Sequence, residues 1–150
     1  MQQAYHYTSC GLRNIWLRNG YELRETAYGE SVAIKNIEGL HRAIGLYLVH
    51  NKPSLSGAEV RFLRKELDLS QTDFAVCMGV SEPTVRGWEN NRTKITRPAE
   101  SLLRVIYEEF ARGGTAVRAL IEHIGRLGQD SPAKAIEFEE TEAGWRAEAA

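Results

Sequence analysis

The sequence predicts a mainly α-helical fold with a small β-containing module at its N-terminus, and three observations carry that reading. Helix-start signals recur through the middle of the chain, at Ser56, Ser70, Ser81 and Thr115, each followed by apolar residues at helical spacing. The first 37 residues instead hold short aromatic and β-branched runs broken by Asn19-Gly20 and Tyr28-Gly29. Over 150 positions, 43% hydrophobic and 26% charged residues describe a globular chain able to bury a core without staples.

In chain order, Asn19-Gly20 is a two-residue hairpin signal that would pair residues 15–18 with 21–24, setting Trp16 beside Leu23 and Ile15 beside Arg24. A turn at Tyr28-Gly29 precedes a third strand over 31–34. A helix over 38–50 follows, with Leu40, Ala43, Ile44, Tyr47 and Leu48 on one stripe, and Asn51-Lys52-Pro53 ends it as a linker. Ser56 and Glu59 form an S-x-x-E capping box for a helix running to Leu67 that buries Val60, Leu63 and Leu67. Ser70 caps the next, with Phe74, Ala75 and Met78 inside and Gly79 as its stop. Ser81 opens a third, with Pro83 in the first turn and Val85 and Trp88 facing inward. Residues 90–94 make a polar loop, and Pro98 opens a helix through Leu102, Leu103, Ile106 and Phe110. After Gly113-Gly114, Thr115 caps a last helix with Val117, Leu120, Ile121, Ile124 and Leu127 on one stripe. The division expected is a small α+β module over 1–54, a helical domain over 55–112, a dimerisation helix over 113–128 and a mobile acidic tail over 129–150.

Charge sorts the partners. Nineteen Lys and Arg against twenty Asp and Glu leave a net charge of -1, so a polyanion must be met locally rather than by a global basic field. Residues 81 to 97 provide that locality, with 4 basic and 2 acidic side chains. The longest apolar run falls well short of the roughly 20 residues a membrane helix needs. Cys10 and Cys77 lie far apart without a leader-like segment before them, which fits a reduced, cytoplasmic protein. Four histidines without H-E-x-x-H spacing, and no Gly-rich phosphate loop or nucleophile elbow, give no ground for an enzyme.

The segment from Leu69 to Asn90 combines L-S-Q before one short helix, F-A within it, G-V-S at the turn and V-x-x-W-E-N in the second helix. In these positions it resembles the helix-turn-helix of the Cro/repressor-like (XRE-type) family, which implies a five-helix, lambda-repressor-like domain. The same reading follows physically: two short helices about a Gly-containing turn let the second enter the major groove of double-stranded DNA. With Val85 and Trp88 inward, Glu82, Pro83, Thr84, Arg86 and Gly87 become the base-contacting candidates. Arg86 suits guanine O6 and N7, Glu82 suits cytosine N4, and Pro83 or Thr84 suits a thymine methyl. Phosphate contacts fall to Ser70, Gln71 and Ser81 at helix starts, and to Asn90, Arg92, Lys94 and Arg97 around the following loop. Glu82 and Arg86, four apart, also suit an ion pair in the free protein. Glu89 and Trp88 suit structural roles.

The order of parts is similar to MqsA-like antitoxin regulators, with further echoes in residues 61–67 and 101–106. That resemblance implies a repressor, in its most concrete form an autoregulating antitoxin with a toxin as protein partner. It also implies an N-terminal zinc site, from which this sequence departs: Cys10 with only His6, His41 and His50 nearby in sequence is not a Cys-x-x-Cys set, so no metal or other cofactor is expected. Tyr5, Tyr7, Trp16, Tyr21 and Tyr28 are expected mainly as core of the small module. The competing function is a protein-interaction module acting through residues 1–54. Because one recognition helix reads few base pairs, a homodimer on a palindromic operator is expected, built by Val105, Tyr107, Val117, Leu120, Ile121 and Ile124.

Overall fold

The computed structural model describes residues 4–127 and 135–148. In the N-terminal module Tyr5–His6 (β1) pairs antiparallel with Trp16–Leu17 (β2), Tyr5 opposite Leu17 and His6 opposite Trp16. Tyr21–Thr26 (β3) pairs with Gly29–Ile34 (β4) in a separate hairpin, Leu23 opposite Val32. The hairpin expected across Asn19-Gly20 does not form, because β3 finds a full six-residue partner through the Ala27-Tyr28 turn. That turn is closed by Thr26 Oγ1 donating to the Gly29 carbonyl at 2.7 Å. Asn19-Gly20 becomes the corner between the two sheets instead, with the Lys35 amide donating to the Gly20 carbonyl at 2.8 Å.

Six helices follow among the described residues: Ile37–Asn51 (α1), Gly57–Glu66 (α2), Gln71–Met78 (α3), Glu82–Glu89 (α4), Arg97–Ala111 (α5) and Thr115–Leu127 (α6). The side chains of Ser56, Ser70 and Ser81 cap α2, α3 and α4 as their spacing predicts, and Ser56 and Glu59 complete the reciprocal box. A single cluster of buried side chains runs from Tyr7, Leu12 and Leu17 through α1 and the central helices to Ile121. The N-terminal module and the helical domain therefore share apolar contact across the segment expected as a linker.

α1 meets the core on a face turned from the expected stripe. Ile44, Gly45, Leu48 and Val49 are buried, while Ala43 and Tyr47 are exposed. The reason lies in α5, whose Tyr107 is 1% exposed. A Cβ on Gly45 would stand 2.1 Å from the Tyr107 hydroxyl oxygen, so the two helices approach through the glycine. Tyr107 is thus core of its own chain and not a dimer-interface residue, and Leu102, expected inside, is exposed.

α6 packs on α3 and α5. Thr115 is its first helical residue rather than its cap. Arg118 fastens it, donating from Nη1 to the Leu67 carbonyl at 3.1 Å and from Nη2 to Asp68 Oδ2 at 3.2 Å. Ile121, 8% exposed, joins the chain's own core and Val117 packs at its edge, which removes Ile121 from any dimer surface. Leu120 at 58%, Ile124 at 38% and Val105 at 66% exposure remain uncovered. The side chain of Leu127 lies outside the described residues.

The segment expected as a mobile acidic tail contains a hairpin: Phe138–Thr141 (β5) pairs with Gly144–Ala147 (β6), Glu140 opposite Trp145. Its turn repeats that of β3 and β4, with Thr141 Oγ1 donating to the Gly144 carbonyl at 2.7 Å. Phe138, Glu140, Trp145 and Ala147 share one face of this hairpin.

Candidate nucleic-acid interface

The geometry of the interface begins with the turn. α3 ends at Gly79, whose φ of +70° is a backbone state that a side chain disfavours, and the Val80 amide donates to the Ala75 carbonyl at 3.0 Å. Ser81 then restarts the chain as a cap, with Pro83 where its missing N–H removes no helix bond. Val85 and Trp88 are fully inside, Phe74 and Ala75 of α3 are buried with them, and α4 shows its opposite side to solvent.

What fixes the tilt of α4 is a buried ion pair. Arg64 of α2 donates from Nε to Glu89 Oε2 at 2.7 Å and from Nη2 to Glu89 Oε1 at 3.0 Å. Its remaining nitrogen donates to the Leu69 carbonyl at 2.9 Å, and Gln71 Nε2 donates to Glu89 Oε1 at 3.2 Å. All three guanidinium nitrogens and both carboxylate oxygens thereby have a partner, as a desolvated pair requires. Glu89 is structural, as the sequence suggests. Gln71 is half-buried with its amide nitrogen engaged, not freely exposed at a helix start.

A second clamp joins the same helices. A Cβ on Gly57 would lie 2.4 Å from the Trp88 carbonyl oxygen, and the Gly57 amide donates to Asn91 Oδ1 at 3.0 Å. Arg64, Gly57 and Asn91 are the positioning residues that sequence reasoning missed. Arg64 lies in the last turn of α2, where a basic side chain is ordinary, so its local sequence does not mark it as buried.

On the outward side, Arg86 Nε lies 3.3 Å from Glu82 Oε1, both side chains partly exposed, so the i,i+4 pair is present in the free protein. Pro83 is exposed, and the Thr84 hydroxyl shares a 2.8 Å hydrogen bond with that of Ser81. Gly87 is half-covered by the loop that follows. A Cβ there would be 3.3 Å from Thr93 Oγ1, and its carbonyl accepts from the Arg92 amide at 2.9 Å. The glycine thus has a reason inside the chain. Ser70 and Ser81 use their side-chain oxygens as caps. Asn90, Arg92, Lys94 and Arg97 are all exposed, and none of the three cations makes an ion pair among the described residues.

Away from this face, Cys10 Sγ lies 3.9 Å from the Tyr7 carbonyl. Burial pushes the Cys77 thiol up. Among the described residues no three His, Cys, Asp or Glu side chains converge as metal ligands would. His41 bridges the modules: its Nε2 is 2.7 Å from the Tyr7 hydroxyl and its Nδ1 is 3.4 Å from Glu66 Oε1. Of the crowded aromatics, Tyr7 is buried and Tyr5 and Tyr21 partly so, but Tyr28 is fully exposed at the hairpin tip. Trp16 is also exposed, stacked on His6 at 4.1 Å between ring centroids.

Two short helices about a left-handed glycine, the first packed and the second presenting a polar face, define a helix-turn-helix, a DNA-binding element of regulatory proteins. Residues 60–98 match the helix-turn-helix family model, and over that stretch the chain is similar to the Cro/repressor-like, XRE-type helix-turn-helix. Neither curated proteins nor solved structures give a match to the chain. Among the described residues no helix is long and apolar enough to cross a membrane.

Proposed function

We propose that this protein is a sequence-specific transcriptional repressor that reads double-stranded DNA through α4. The observation that carries this is the division of one eight-residue helix into a locked inner side, Val85, Trp88 and Glu89, and an outer side bearing Glu82, Pro83, Thr84 and Arg86. Because α4 is held by both ion-pair and backbone clamps, its outer side chains are presented at a fixed angle, which base readout needs. In the complex Arg86 leaves Glu82 for guanine, and Glu82 is released toward cytosine N4. Gly87 lets the backbone sit close to the groove. Ser70, Gln71, Ser81, Asn90, Arg92, Lys94 and Arg97 serve the phosphates; for Gln71 the free amide proton and for the serines the backbone amides are the available donors.

The functional unit in this reading is a homodimer on a palindromic site, with Val105, Leu120 and Ile124 the uncovered apolar residues available to build it. The four-part division of the chain serves the same reading, with 1–54 as a partner module and 113–128 as the dimer helix. A cytoplasmic location follows from that role. The MqsA-like layout supports an autoregulating antitoxin as the most concrete version.

A gel shift on DNA immediately upstream of the protein's own reading frame tests repression directly. A retarded band competed by the same DNA but not by random duplex supports it, and no band with folded protein refutes it. A protein-interaction module is the second reading, favoured by exposed Trp16 and Tyr28 on the N-terminal sheets. Co-purification of a stoichiometric partner that Trp16→Ala abolishes would favour that role.

A further inference from the structure

We propose that the segment before the helix-turn-helix, through Lys52, takes part in gripping the DNA backbone. This rests on the DNA-binding reading and extends it to a part of the chain outside the family-matched residues 60–98. A surface notch of about 410 Å³ is lined by Lys52, Ser54, Lys94, Arg97, Glu100 and Arg104, with Pro53, Ile95 and Ser101 completing its wall. Three separate stretches of sequence converge there: the C-cap of α1, the loop after α4 and the first turns of α5.

The charges in the notch are not equivalent. Arg104 and Glu100 neutralise one another as an i,i+4 pair. Arg104 also donates to the carbonyls of Val49 at 2.9 Å and Lys52 at 2.6 Å, so the end of α1 is tied to α5 and its backbone cannot swing away. Lys52 Nζ lies 3.6 Å from Glu59 Oε2, a loose contact from a side chain still 37% exposed. Lys94 and Arg97 have no carboxylate partner among the described residues. The unpaired charge is therefore cationic, carried by Lys94 and Arg97, with Lys52 on the same rim shared with Glu59.

A concavity of this size, with cations on its rim and hydroxyls from Ser54 and Ser101 on its wall, fits a tetrahedral phosphate diester better than a planar base edge. Lys94 follows α4 by only a few residues. Lys94 and Arg97, assigned to the phosphates in the proposed reading, line this same notch, so a backbone phosphate that they hold lies in the concavity that Lys52 rims. A protein carboxylate on this rim is the alternative occupant.

The test uses the full chain and a short fluorescent random-sequence duplex, with affinity followed by polarisation from about 50 to 200 mM salt. If Lys52 meets a phosphate, Lys52→Ala lowers the slope of log affinity against log salt by about 0.9, and binding at low salt weakens several-fold. Lys52→Arg keeps the slope, and Lys52→Glu lowers affinity further. Unchanged slope and affinity in Lys52→Ala, where Lys94→Ala in the same assay loses both, would overturn the notch while leaving DNA binding intact. Wild-type protein that binds no duplex at any salt would remove the DNA-binding reading and the notch together. Unfolding midpoints of each variant, matched to wild type, exclude a folding cause.

Discussion

Arg64 and Glu89 meet through two parallel hydrogen bonds in the protein's interior, 25 residues apart in sequence, and tie α2 to the last residue of α4. Their side chains are 9% and 3% exposed. The pair stands where α4 would otherwise be free to tilt, so stability and presentation of the DNA-facing side are linked through one contact.

Breaking this pair from one side should be costly. Glu89→Ala leaves a buried guanidinium without its anion and should destabilise the fold by about 3–5 kcal/mol. Glu89→Gln, which keeps one acceptor oxygen, should lose less, and Arg64→Met combined with Glu89→Leu should lose less than Glu89→Ala, since no uncompensated charge remains. Urea unfolding of the three variants checks the order. A Glu89→Ala loss under about 1 kcal/mol would place the pair in the surface class.

Readout should separate the cations. Arg86→Ala should weaken the preferred site by about 1–3 kcal/mol and relax one base step, whereas Arg92→Ala should weaken every sequence alike and reduce the salt slope by about one unit. Binding to a panel of single-base variants of the preferred site distinguishes them. Equal losses on preferred and random DNA for Arg86→Ala would reassign it to the backbone.

Charge on α6 should act differently on its two sides. Ile121 is buried against the chain's own core, so Ile121→Glu should unfold or detach the helix. Leu120→Glu lies on the exposed side and should leave the fold intact while splitting a dimer. Light scattering with circular dichroism reads both. A dimeric, folded Leu120→Glu would move the interface elsewhere.

Tyr107 should govern an alkaline limb. Burial holds its hydroxyl from the ordinary value of 10.0 up to about 12, with the negative charge of Glu66 adding to the effect. The folded state keeps a proton that the unfolded state gives up, so this contribution is full below pH 10 and falls away as pH rises through about 12. Tyr107→Phe should flatten the decline in urea midpoint over that window. An unchanged decline would assign it to other groups.

The helical part of this fold was legible because its signals are local. Ser56, Ser70 and Ser81 each act through an amide three residues on, and Val85 with Trp88 fixes a face within one helix. What was not legible depends on partners distant in sequence. Nothing local says that β2 pairs back to β1 rather than across Asn19-Gly20, or that Tyr107 fills the space over Gly45. The C-terminal hairpin was hidden by its acidity, although Thr141-Glu142-Ala143-Gly144 repeats the T-x-x-G turn of Thr26-Ala27-Tyr28-Gly29. In the candidate site, the i,i+4 pairing of Glu82 with Arg86 could be read directly. The anchoring of Glu89 by Arg64 and Gln71 joins three helices and could not.

If α4 reads base sequence, the ratio of affinities for a selected duplex and a random one measures it. Duplexes enriched from a random pool by the wild-type protein are compared with unselected duplex at the same salt, for wild type and Arg86→Ala. A base-reading α4 gives a ratio of at least about 10³ for wild type, with a palindromic selected site and a ratio reduced at least about fivefold in Arg86→Ala. Selection that converges on no sequence, with equal affinities for both duplexes, would contradict it.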